Sequence, residues 1–257
     1  RLATAVGAPL FMRSGRGLVL TSRGRRLEEG VHPALQRLID AALAPASFDP
    51  ETSDRTLRIG LSDSAELWLL PGLLRVLAQE APHMRVIATP VQFRTVAAAL
   101  ANGLDLAITV ADELPSTIRR RSLMTSGFTC LYDPRHVRLR RLTEAEYFAH
   151  EHVIVSYNAD LRGIIEDLFG KTRRARCSVS SFASLGALIE GSTMLATIPQ
   201  IVAAQILSVR PHLETRPLPF EIRGSFLELL WPLPSDDDEP CRFAREKITA
   251  LARTLRP

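Results

Sequence analysis

Gly7-Ala8-Pro9-Leu10-Phe11-Met12-Arg13-Ser14-Gly15-Arg16-Gly17-Leu18-Val19-Leu20-Thr21-Ser22-Arg23-Gly24 is the stretch that decides how the chain folds. Leu2 to Val6 reads as a helix that stops at Gly7, a residue free to adopt the left-handed closing conformation, and Pro9 prevents the helix from resuming. Leu10-Phe11 is a short apolar pair, Ser14-Gly15-Arg16-Gly17 has hairpin-turn chemistry, and Leu18-Val19-Leu20 supplies the return strand. Thr21 then opens a long helix. Arg1, Arg13, Arg16, Arg23, Arg25 and Arg26 fall before the first carboxylates, Glu28 and Glu29, so the segment is purely cationic and suited to phosphate contacts. An ordinary solvated turn explains such charge taken alone; glycine and arginine confined to a turn between helix and strand favour nucleic acid.

Outward from this stretch, Leu27, Val31, Leu35, Leu38 and Ala42 recur every three or four residues. They predict one helix from Ser22 to Ala44, roughly 35 Å long at about 1.5 Å per residue, bent but unbroken at Gly30 and Pro33. Pro45 to Ser53 is proline-rich and small, a linker. From Arg55 the pattern changes: strand 56–61, helix 65–79, strand 84–89, helix 93–101 and strand 105–110 are two successive βαβ units, implying a parallel sheet with right-handed crossovers. Strands at 117–123 and 128–132 lead to Asp133-Pro134 and a second set of alternations. These are helix 144–148, strand 152–156, helix 161–169, strand 175–179, helix 182–190, strand 193–198 and a helix from Pro199. Ser225 to Trp231 reads as a strand returning toward the first lobe, followed by a closing helix from Pro240 to Leu255.

The 257 residues are 46% apolar with a mean hydropathy of +0.05, enough for one large core or two modest ones. No apolar run reaches the eighteen or so residues of a membrane span. Net charge is +4, and all but two of the 32 basic residues are Arg, a skew that GC-rich coding also produces. Cys130, Cys177 and Cys241 are odd in number and never in a C-x-x-C pair, which predicts buried structural thiols in a reducing compartment.

Gly7 to Arg13, then Gly15-Arg16-Gly17 and Leu20 to Gly24, resemble the end of the recognition helix, the wing and the linker-helix start of LysR-type transcriptional regulators. The resemblance implies that roughly thirty or more residues carrying the first helices precede Arg1. It extends over most of the chain. Phe48-Asp49-Pro50, Leu57 to Asp63, Leu69-Leu70-Pro71, Pro217 to Phe220 and Leu230-Trp231 look most like the branch of nodulation, chlorophenol-degradation and efflux regulators. The fold class expected is α/β: a truncated winged helix-turn-helix and linker helix, then a two-lobed periplasmic-binding-protein-like (type 2) effector domain. Boundaries follow as residues 1–21 for the winged-helix remnant, 22–44 for the linker and dimerisation helix, and 45–54 for the hinge linker. Residues 55–127 with 233–257 form lobe I and 128–232 lobe II.

Implied partners are promoter DNA, a small-molecule effector, further copies in a homodimer or homotetramer, and RNA polymerase, in the cytoplasm and without membrane attachment. Arg1, Arg13, Ser14, Arg16 and Arg23 are the DNA-contact candidates. In this architecture ligands lie between the lobes, at strand ends and helix N-termini. Ser62-Asp63-Ser64, Phe128, Ser156-Tyr157-Asn158, Ser181-Phe182 and Ile198-Pro199 are therefore the effector candidates. Plain helix capping is the rival reading for each serine, and Asp63 argues against an anionic effector and for a neutral or amphipathic one.

No G-x-S-x-G, P-loop or dinucleotide fingerprint follows a strand, so neither enzyme nor cofactor is expected. His150-Glu151-His152 lacks a third ligand and is assigned to the surface; no metal is expected. Asp236 to Glu239 suits a helix N-terminus. A solute-binding protein accounts for the two lobes but not the basic wing, and an α/β enzyme lacks an assembled nucleophile.

Overall fold

The computed structural model describes residues 1–43, 48–222 and 224–254. The linker at 44–47, the last residue assigned to the linker helix and the end of the closing helix lie outside the described residues. The chain divides into two compact units, Arg1–Ser47 and Phe48–Pro257.

In the first unit, helix α1 (Leu2–Val6) ends at Gly7 with φ 69°, the left-handed residue that the sequence supplies there. Strands β1 (Phe11–Ser14) and β2 (Gly17–Leu20) pair antiparallel through a two-residue loop, with Gly15 at φ 60° at its first position. A positive φ there matches the strand twist, which is why glycine is needed. Helix α2 (Ser22–Leu43) runs through Gly30 and Pro33. The Thr21 hydroxyl caps it, accepting from the Gly24 amide at 3.0 Å and donating to Pro9 O at 2.8 Å. Gly24 is the contact point with the hairpin: a Cβ there would lie 2.2 Å from Leu10 O.

The second unit is built on two five-stranded mixed sheets. Lobe I holds strands β3 (Thr56–Leu61), β4 (Arg85–Pro90) and β5 (Leu106–Thr109), with helices α3 (Asp63–Glu80) and α4 (Val96–Ala101) as crossovers. β4, β3 and β5 run parallel, as the βαβ pattern predicts. β6 (Ile118–Ser126) closes that sheet, and β7 (Phe128–Tyr132) already belongs to the other, so the chain crosses between lobes at Gly127, at the boundary between residues 127 and 128.

Lobe II continues with α5 (Glu144–Ala149), β8 (Glu151–Val155), α6 (Ile164–Phe169) and β9 (Arg174–Val179). After a short 3-10 turn (Phe182–Ser184) come α7 (Leu185–Ile189), β10 (Leu195–Pro199), α8 (Gln200–Val209) and β11 (Glu214–Arg216). Its sheet order is β11-β7-β10-β8-β9. The three-residue β11 has no apolar alternation and is not signalled by the sequence. Strand β12 (Ser225–Pro232) pairs antiparallel with β5 and β6, and α9 (Glu239–Thr254) packs on α3. The lobe II boundary at residue 232 is therefore corrected: β12 is a lobe I strand, and the second crossing precedes Ser225.

Both sheets are covered on two faces. Leu57, Ile59 and Leu61 of β3 are buried against α3 and α9, while Gly60 between them faces Leu104 and Val91, which a Cβ would meet at 2.7 and 2.8 Å. Tyr132, Tyr147 and Ile165 form the core on the outer face of lobe II. His152, assigned to the surface from its sequence, is instead fully buried there. Its ring lies 4.5 Å from the Tyr147 ring, tilted by 54°, and Nε2 donates to Tyr147 O at 2.7 Å, which fixes Nε2 as the protonated nitrogen. Cys130 and Cys241 are buried with thiols pushed up to about 12 by desolvation, and Cys177 is half-buried.

Candidate functional site

The C-terminal ends of the central strands of both lobes meet around a cavity of about 320 Å³. Its lobe I wall is made by the start of α3, the loop between β4 and α4, and the end of β5. Its lobe II wall comes from the ends of β8 and β10 and the start of α6. Of the effector candidates, Ser62, Ser64, Phe128, Ser156, Tyr157, Asn158, Phe182 and Pro199 line it.

Three candidates do not. Ile198 is fully buried in the core, since alternation on β10 turns it away from its neighbours. Ser181 caps the 3-10 turn, its Oγ accepting from the Ala183 amide at 3.1 Å. Asp63 stands beside the cavity and links the lobes: one carboxylate oxygen accepts from Tyr157 Oη at 2.6 Å and the other from the Phe182 amide at 2.7 Å. Both oxygens are thus engaged by neutral lobe II donors, which direct the carboxylate at the contact between the lobes while its negative charge stays at the rim of the cavity. Burial and the Asp63 charge push the Tyr157 phenol far above its ordinary range, keeping it a donor in this contact.

Capping and lining coexist at the serines. Ser62 Oγ accepts from the Ala65 amide at 3.3 Å and lies 3.2 Å from Ser64 Oγ. Ser156 Oγ donates to Asp160 at 2.5 Å and accepts from the Asn158 amide at 3.3 Å, shaping a turn in which Ala159 takes a left-handed φ of 54°. A second bridge between the lobes runs from Arg94 Nη1 to Asn158 Oδ1 at 3.3 Å.

Much of the wall carries no local signal in the sequence. Val91, Phe93, Val110, Val155, Ile164, Leu168, Ile201 and Leu227 make it largely apolar, and Thr109 and Thr197 add hydroxyls at the ends of β5 and β10. Thr109 and Thr197 obey the same strand-end rule that selected Ser62 and Ser156. Arg173, which also lines the cavity, precedes β9, and nothing in its neighbourhood of basic residues marks it.

In the unit Arg1–Ser47, the DNA-contact candidates Arg1, Arg13, Ser14, Arg16 and Arg23 are all solvent-exposed. Arg13 and Ser14 lie on β1 and Arg16 in the hairpin loop. Among the described residues no helix is long and apolar enough to cross a membrane, and no cluster of three His, Cys, Asp or Glu forms a metal site.

Residues 50–243 match the model of the LysR substrate binding domain. The HTH-type transcriptional activator NagR of Ralstonia sp is 29% identical over 257 residues, spanning 98% of this chain and 85% of the relative. The activator NahR of Pseudomonas putida is 31% identical over 204 residues, 77% of this chain and 68% of the relative. Among solved structures, the regulatory domain of MexT, a transcriptional activator in Pseudomonas aeruginosa, superposes with a TM-score of 0.69 at 32% identity, covering 78% of this chain and 99% of that one. An interlobe cavity at the strand ends, a helix and hairpin preceding a long helix, and a domain match over most of the length agree: this chain belongs to the LysR family of transcriptional regulators.

Proposed function

We propose that this regulator takes its small-molecule effector in the cavity between lobes I and II, and that occupancy changes how the two lobes close on each other. The observation that carries the reading is Asp63, whose carboxylate ties the start of α3 in lobe I to Tyr157 and Phe182 in lobe II at the rim of the cavity. A ligand filling the space behind that contact acts directly on closure, because it touches both walls. A volume of about 320 Å³ suits a small molecule of one or two rings, and the mixed wall of aromatic side chains and hydroxyls suits an amphipathic one.

In this reading the exposed stripe of α2 pairs with a second copy, dimers assemble into a tetramer, and Arg1, Arg13, Ser14, Arg16 and Arg23 hold DNA backbone rather than read bases. Closure then alters the spacing of the DNA readers on the promoter and the access of RNA polymerase, in the cytoplasm. The protein works by binding, not by turnover.

Two experiments test this. Tyr157→Ala or Phe182→Ala is expected to blunt the response of a promoter reporter while leaving gel-shift affinity for promoter DNA intact; equal loss of both assigns these residues to folding. Arg13→Ala or Arg16→Ala is expected to weaken DNA binding uniformly across sequences and lower its salt dependence, whereas a change in sequence preference at constant affinity overturns the phosphate assignment.

A further inference from the structure

At the lobe II end of the cavity, two buried charges are placed side by side. Glu166 and Arg173 are 1% and 2% exposed and form a two-pronged ion pair, Nε to Oε1 at 2.9 Å and Nη2 to Oε2 at 2.6 Å. Glu166 also accepts from the Arg173 amide at 3.1 Å and the Gly163 amide at 2.8 Å. With four N–H groups on its two oxygens, it has no capacity left to take a proton from a ligand.

Arg173 differs, because a guanidinium has five N–H donors and no acceptor. Its Nη1 reaches Tyr147 Oη at 3.3 Å, and Tyr147 Oη lies 2.5 Å from Thr197 Oγ1. The direction of this chain follows. The phenol oxygen must accept from Arg173, and its own hydrogen is satisfied only by donation to Thr197, since a buried hydroxyl left unpaired is costly. Thr197 Oγ1 is thereby an acceptor on its buried side, and its hydrogen is left for the cavity that it lines. Polarised from Arg173 onward, that hydrogen is a strengthened donor.

We propose that Thr197 is the specificity-determining contact of the effector site, and that with Arg173 it selects a ligand whose inner end is a carboxylate or another oxygen acceptor without hydrogens of its own. The proposal rests on the cavity being the effector site. Tyr147 is a positioning residue that fixes which way the Thr197 hydroxyl points. Two carboxylates favour the opposite polarity: Asp167 lines the cavity but is 62% exposed and paired with Arg162 at 3.4 Å, and Asp63 stands at the rim with both oxygens turned to the Tyr157 hydroxyl and the Phe182 amide.

Calorimetric titration of the full chain with cyclohexanecarboxylate and cyclohexylmethylamine, which share an apolar body and differ in the polar end, decides it. The carboxylate is expected to bind more tightly than the amine. Thr197→Val should weaken carboxylate binding about tenfold, the loss of one hydrogen bond to a charged group, and Thr197→Ser should restore it. Tyr147→Phe should narrow the preference for carboxylate over amine, a readout that a merely structural role would not move. Amine binding that equals or exceeds carboxylate binding, or no carboxylate binding, overturns the proposal. Carboxylate binding unchanged by Thr197→Val but lost in Phe182→Ala overturns the Thr197 assignment and leaves the cavity standing. Binding that survives both variants puts the ligand elsewhere and removes the cavity reading as well.

Discussion

The carboxylate of Asp63 sits in the first turn of α3, where the helix dipole favours negative charge, and both of its oxygens are bonded to lobe II. Asp63→Ala leaves the Tyr157 hydroxyl and the Phe182 amide without this partner, a loss of about 1.5–3 kcal/mol for each bond to a charged group. The expected outcome is a larger radius of gyration by X-ray scattering for the unliganded chain and weaker effector binding; unchanged values would assign the contact no role in closure. His152 gives a second prediction at this scale. Burial holds its folded pKa down to about 4, against 6.5 for an exposed imidazole, with Arg173, Glu166 and His150 as its charged neighbours. The unfolded chain binds the proton first, so stability falls as pH drops from about 6.5 toward 4, by on the order of 3 kcal/mol. For Glu166, burial would raise the pKa, but the hydrogen bonds and charge of Arg173 outweigh it and hold the group at about 2. Its contribution is present above 4.5 and lost below, in a separate and lower window. Thermal melts across pH should therefore show the upper loss in the native chain and not in His152→Gln. Ser62, Ser156 and Tyr157 were legible in the sequence because strand ends and caps are local signals. The roles of Asp63, Arg173 and Thr197 depend on partners 94 or more, 7, and 50 residues away, and no local pattern encodes them.

At the scale of elements, punctuation residues make the first unit readable. Gly7, Gly15 and Thr21 each do in the structure what their chemistry requires, so α1, the hairpin and the start of α2 fall where the sequence predicts. Thr21→Ala removes the α2 cap and should cost about 1 kcal/mol, seen as loss of helical ellipticity on heating. Gly24→Ala should do more harm, since its Cβ would lie 2.2 Å from a backbone oxygen of the hairpin. The expected result is weakened DNA binding at unchanged binding of the carboxylate probe. In the second unit the βαβ alternation gave the parallel strands, whereas β11 and the crossing before β12 were obscured. A three-residue strand has too few positions to display alternation, and a sheet assignment for β12 needs its partners, β5 and β6, which lie far back in the chain.

The whole molecule combines a long helix bearing an exposed apolar stripe with a domain that has a cavity between its lobes. Val31, Leu35 and Leu38 on α2 are 49%, 49% and 66% exposed, a continuous stripe at helical spacing. Leu35→Glu with Leu38→Glu is expected to shift the protein to smaller species by light scattering and to lower its affinity for promoter DNA, because paired readers bind with higher effective concentration than single ones. Whether the effector acts in the interlobe cavity is tested by a crystal structure of the full chain with cyclohexanecarboxylate. Density is expected between the lobes, with the carboxylate within hydrogen-bond distance of Thr197 Oγ1 and the ring against the apolar wall of Phe128 and Phe182. Density for the molecule outside that cavity, with the space between Ser62, Ser156 and Thr197 holding only solvent, would contradict it.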